Sequence, residues 1–136
     1  MGKYSKLIDN LAGGPKAQGA AYYFAESALI NADRRVLRPL AHALAHHPDE
    51  VVREIVAEIL GQREDIAALP FLVEAVVDPD ESVRQDAIWS IEKILQFSPG
   101  GLEDLLDLSY DDPQENKKTI EHFLQLIEPY IKNLAF

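Results

Sequence analysis

The sequence predicts an all-α fold assembled from repeated helical units, on three observations. A segment recurs with an offset of 31 residues. Within its best copy, Val83, Ala87, Ile91 and Ile94 follow the i, i+4, i+8, i+11 spacing of a single helix face. No stretch shows the sustained apolar and polar alternation, rich in Val, Ile and Thr, that marks a strand.

The recurrence is clearest where His47-Pro48-Asp49-Glu50-Val51-Val52-Arg53 aligns with Asp78-Pro79-Asp80-Glu81-Ser82-Val83-Arg84, and Pro39 with Pro70 at the same offset. One period further back, Ala25, Val56 and Ala87 coincide, as do Leu29, Leu60 and Ile91, which marks them as core positions of one recurring helix. Helices are expected near residues 3–12, 16–31, 34–46, 48–61, 65–77, 79–97, 101–109 and 113–134. Two of them have a clear local reason to start. Asp78 is placed to cap the helix at 79–97, with Pro79 at its first position and Glu81 completing a capping box; Asp112-Pro113-Gln114-Glu115 has the same layout. Breaks are expected at Gly13-Gly14-Pro15, at Gly61 and at Ser98-Pro99-Gly100-Gly101, and Pro129 is expected to bend or end the last helix.

The segments 78–94 and 48–61 resemble HEAT repeats of the short type also found in phycobilin-lyase proteins. The resemblance implies a short α-solenoid of about four antiparallel helix pairs, with a convex and a concave face used mainly to bind proteins. The expected organisation is one domain over residues 1–136, with units near 15–46, 47–77, 78–108 and 109–136 and a capping helix at 3–12. In such repeats the arginine at positions 53 and 84 braces neighbouring units through acidic loop residues, so Arg53, Arg84 and Asp78 are expected to be structural. The chain departs from the pattern where His47 replaces Asp and where Tyr22 and Glu115 replace Arg. End units drift because they cap the stack.

Composition narrows the function. The 136 residues are 47% hydrophobic and 26% charged, with 7 Gly, 8 Pro and no Cys, a globular balance that excludes disulfides, thiolate metal sites and a cysteine nucleophile. No apolar run approaches the roughly 20 residues of a membrane span, and the first residues hold no signal-peptide core, so a cytoplasmic protein without membrane contact is expected. The net charge of −10 divides unevenly: residues 1–68 carry −1 and residues 69–136 carry −9. Such a field repels nucleic acid and attracts a basic protein. The sequence also holds no GxSxG, GKS/GKT or GxGxxG motif, so no enzyme and no cofactor are expected.

The candidate partner-binding residues are Glu74, Trp89, and Glu103, Asp104, Asp107, Asp111 and Asp112 of the basic-free window between Lys93 and Lys117. Trp89 stands where the other copies have Glu58 and Ser27, away from the expected core, where an aromatic side chain can anchor an interface or pack against an adjacent helix or under a loop. His42, His46 and His47 have a spacing that can hold a metal, but with no evident third ligand beyond a distant Asp or Glu they read as solvent-facing or groove-lining side chains. Size and acidity together are similar to those of bacterial immunity proteins that cover the active sites of cationic toxins, often nucleases. The expectation is therefore a non-catalytic module, monomeric when free, that binds a basic protein such as a toxin domain. The alternatives are an adaptor subunit of a larger complex and a phycobilin-lyase-like chaperone subunit.

Overall fold

The computed structural model describes residues 2–134, with side chains described to residue 131. The helices are α1 (Lys3–Asp9), α2 (Pro15–Gln18), α3 (Ala20–Asn31), α4 (Leu37–His46), α5 (Glu50–Gln62), α6 (Leu69–Ala75), α7 (Glu81–Ile94), α8 (Gly101–Leu106) and α9 (Pro113–Leu134). Among the described residues there is no strand. The fold is an all-α, solenoid-like stack. One layer runs α3, α5, α7, with α5 lying along α7 more extensively than any other pair; α4 and α6 lie behind it. The α1 helix packs on α3, α4 and α5 and closes the N-terminal end, while α9 docks mainly on α6.

Periodicity placed the core correctly. Ala25, Val56 and Ala87, and likewise Leu29, Leu60 and Ile91, are fully buried at successive levels of one apolar cluster that runs from Ile8 of α1 to Ile120 of α9. Truncating one of the large members to Ala typically costs about 2–5 kcal/mol.

Local chemistry differs from the sequence expectation at three points. The helix expected at 16–31 is divided at Gly19, whose φ of 57° lies in the left-handed region that a glycine enters freely. Asp78 does not cap α7; that role falls to Asp80, which accepts from the Val83 N–H, and Pro79 stays outside the helix. Asp78 is occupied elsewhere. At the next turn the expected arrangement does form, with α9 starting at Pro113 and the Asp112 carboxylate accepting from the Glu115 N–H. Gly61 is not a break: it lies buried inside α5, where a Cβ would come within 2.8 Å of the Ser90 backbone on α7. The last helix, α9, covers the expected 113–134 and does not end at Pro129. Pro129 and Gln125 are both exposed, so the carbonyl released by the missing N–H is open to water.

Two arginines tie successive units together. Arg53 grips both carboxylate oxygens of Asp78, through Nε at 3.0 Å and Nη2 at 3.2 Å, while its Nη1 donates to the His47 carbonyl at 2.8 Å. With the two side chains only 14% and 8% exposed, this bidentate pair is shielded from solvent and fixes α5 to the turn before α7. Arg63, at the end of α5, donates from Nη1 to the carbonyls of Leu29, Ile30 and Ala32 and so closes the C-terminus of α3.

Two stability predictions follow from these contacts. Arg53→Ala strands the Asp78 carboxylate and lowers unfolding free energy by about 3 kcal/mol, whereas Arg84→Ala, which removes only carbonyl contacts, costs about 1 kcal/mol; urea denaturation of both variants measures the difference. Gly61→Ala forces α5 from α7 and costs about 1–3 kcal/mol, visible in the same experiment as a lowered midpoint.

Candidate protein-binding surface

The layer of α3, α5 and α7 brings four carboxylates into one strip. Glu26 comes from α3, Glu54 and Glu58 from α5, where they stand one turn apart, and Asp86 from α7. All four are half-buried. Burial, and then the negative charges of Glu54 and Glu58, push the Asp86 carboxyl up to about 6. Glu58 is raised by burial and by Glu26, against a hydrogen bond from Gln62 that opposes the shift. Glu54 is raised by burial and by Asp80 and Glu58, with Ser82 opposing. The strip is therefore a set of like charges held together at a cost, relieved when a proton or a cation is supplied.

Aromatic side chains border it. On α3, Tyr22 is buried and donates its hydroxyl to Glu26 Oε2 at 2.9 Å, and its ring meets that of Tyr23 edge-on at 5.2 Å between centroids. Burial and the Glu26 carboxylate raise the Tyr22 phenol well above its ordinary range, so it remains a donor. Tyr23 and Phe24 are 61% and 70% exposed. On α7, Trp89 stands three residues beyond Asp86, half-buried, with the Lys93 ammonium 5.8 Å from its ring centroid.

The residues singled out from sequence are dispersed. Glu74 on α6 is exposed and pairs with Lys117 of α9 at 3.3 Å, so its charge is already partnered. Glu103 on α8 is half-buried, its carboxyl raised by burial and by Glu92 and Asp104; Asp104 is exposed beside it. Asp107 ends α8 with a left-handed φ of 54°, Asp111 sits exposed in the following turn, and Asp112 caps α9. These five acids form the C-terminal edge, apart from Glu74. Trp89 belongs instead to the strip. Sequence reading overlooked Glu26, Glu54, Glu58 and Asp86, although the 31-residue register that stacks their helices was the signal available to find them.

The histidines have structural surroundings. Asp49 N–H donates to His47 Nδ1, which places the His47 proton on Nε2, from where it donates to Asp9 at 3.1 Å and ties α1 to the start of α5. His42 and His46 are exposed, their rings 4.9 Å apart. Among the described residues no group of three or more His, Cys, Asp or Glu could hold a metal ion, and no helix is long and apolar enough to cross a membrane.

This geometry, stacked helix pairs tied by Arg53 and Arg63, defines a class of repeat protein that works by presenting a surface. HEAT repeats match residues 37–125, and the chain belongs to that family. It is also 30% identical over 110 residues to a protein of Pseudanabaena tenuis called uncharacterized phycocyanin operon protein Y, an alignment covering 76% of this chain and 26% of the relative. The chain thus spans about a quarter of that relative's length. No solved structure matches it.

The raised carboxyl predicts a pH dependence. A proton binds Asp86 more tightly in the folded chain than in the unfolded one, so the charged form destabilises the fold above about pH 6, and that penalty fades as pH falls towards the ordinary value of 3.8. Asp86→Asn is therefore expected to be more stable than the parent at pH 7 by about 1 kcal/mol, allowing for solvent screening. Thermal unfolding from pH 7 to pH 4 should show the advantage shrinking to nothing.

Proposed function

We propose that the chain is a non-catalytic protein-binding module that docks a basic protein along the strip formed by Glu26, Glu54, Glu58 and Asp86. The observation that carries this reading is the half-buried, mutually repelling set of carboxylates, with Tyr22 and Tyr23 beside Glu26 and Trp89 one turn beyond Asp86. Lys or Arg side chains laid into it relieve the repulsion, and the aromatic rims supply contact area. Glu103, Asp104, Asp107, Asp111 and Asp112 add to the long-range attraction from the C-terminal edge. In its narrower form the partner is a cationic toxin domain, such as a nuclease, whose active site the bound module covers; a net charge of −10 supports that form. An adaptor subunit would use the same strip to hold a basic neighbour in a larger complex.

The Pseudanabaena relative favours one second reading, a chaperone-like subunit serving phycobiliproteins. That reading expects a bilin absorbance change when the chain is mixed with phycocyanobilin or its apoprotein, whereas the docking reading expects none.

Titration calorimetry with Lys- and Arg-rich peptides tests the docking surface. Affinity is expected to fall roughly tenfold in Glu54→Gln/Asp86→Asn, to weaken with added salt, and to fall as pH drops through 6. Equal affinity in parent and variant refutes the assignment of the strip. Co-expression with cationic toxin domains, scored by growth, tests the narrower form.

A further inference from the structure

Three turns of the chain share one local bond. At residue 47 the Asp49 N–H donates to His47 Nδ1; at residue 78 the Asp80 N–H donates to Asp78 Oδ1; at residue 109 the Asp111 N–H donates to Ser109 Oγ. The positions are 31 residues apart, so Ser109 is the structural equivalent of Asp78. The arginines that serve these turns are equivalent too. Arg53 donates from Nη1 to the carbonyl of the turn behind it and turns its Nε and Nη2 edge onto the Asp78 carboxylate. Arg84 makes the same backward contacts, from Nη1 to the carbonyls of Asp78 at 2.8 Å and Pro79 at 3.1 Å. Its Nε and Nη2 edge has no counterpart to the Asp78 carboxylate, because the residue at the equivalent place is a serine.

The vacant edge is accessible. Arg84 is half-buried and lines a narrow slot with Glu81, Glu103, Ser109, Tyr110 and Asn116, in a cavity of about 20 Å³. Neither Glu81 nor Glu103 forms an ion pair with it, since among the described residues no carboxylate comes within 4.0 Å of its guanidinium. Ser109 and Tyr110 are exposed, so the slot opens to solvent at the place equivalent to the Asp78 side chain. The two oxygens of a planar carboxylate match the guanidinium edge, as those of Asp78 match Arg53.

The geometry points to Arg84 as a receptor for one carboxylate of a partner protein, an Asp or Glu side chain inserted beside Ser109 as Asp78 is inserted beside Arg53. A side chain rather than a free acid is the occupant because the chain's own filled copy of the site is occupied by a turn residue of a neighbouring unit. The inference rests on the reading of the chain as a protein-binding module, but it uses none of the strip carboxylates. Its failure would therefore leave the strip untouched. A partner held at both places presents basic residues to the strip and one acid to Arg84, a pairing that selects among basic proteins.

The arginine Nε–H signals in nitrogen-15 NMR of the full chain test it, with sodium acetate titrated against sodium chloride at equal ionic strength. The Arg84 signal, assigned by its loss in Arg84→Gln, is expected to move downfield and saturate with acetate, with half-saturation near about 10 mM, while the Arg53 signal stays still. Ser109→Asp should fill the site from within: the Arg84 signal starts at the bonded position, acetate no longer moves it, and the melting temperature rises. An Arg84 signal that responds to acetate no more than to chloride overturns the proposal, and this arm needs no variant that might fail to fold. Saturation by acetate at micromolar levels overturns the partner side chain as occupant in favour of a small free acid.

Discussion

The close contact of α5 with α7 is the constraint on which the rest of the molecule depends. Gly61 has no side chain, so α7 approaches until its Ser90 hydroxyl donates to the Ala57 carbonyl at 2.6 Å inside the core. That approach places Val56 and Leu60 against Ala87 and Ile91. It also sets how near Asp86 lies to Glu54 and Glu58. The same geometry that buries the apolar faces of the two helices takes part of the water from their acidic faces, and burial is the largest cause of the raised carboxyls. Stability and a charged surface under tension thus come from one packing decision.

Charge in this chain has two distributions, one along the sequence and one in space. Along the sequence the acids concentrate after residue 69, and the densest run lies between Glu103 and Glu115. In space that run is mostly solvated, or spent on local tasks such as the cap at Asp112. The carboxylates whose ionisation is most altered on α5 and α7 come from a stretch where basic residues are interspersed. Net charge governs long-range attraction, whereas the energetics of a site depend on how much water each charge has lost. The two need not fall on the same residues.

The repeat is also what makes its own interruption meaningful. His47, Asp78 and Ser109 hold the same turn bond, yet each meets a different partner: Asp9, Arg53, and nothing equivalent for the third. Beyond α7 the stack is no longer regular: α9 lies on α6, with Lys117 on Glu74, and its Phe123 meets Phe97 from the turn after α7. The slot at Arg84 lies where the regular stack gives way.

The sequence by itself determined the helical class, the 31-residue register and the core positions, because apolar periodicity and a repeated turn motif are local signals that survive without coordinates. It determined the family resemblance as well, through the residues of 47–61 and 78–94. Tertiary structure decided what the local signals left open. Asp78 reads as a helix cap until Arg53, 25 residues away, takes its carboxylate, and Gly61 reads as a break until Ser90 is seen against it. The strip of Glu26, Glu54, Glu58 and Asp86 is assembled from three helices, and no window of sequence holds it. Ion pairing, close approach and desolvation act between residues distant along the chain, and they are set by how the helices stack.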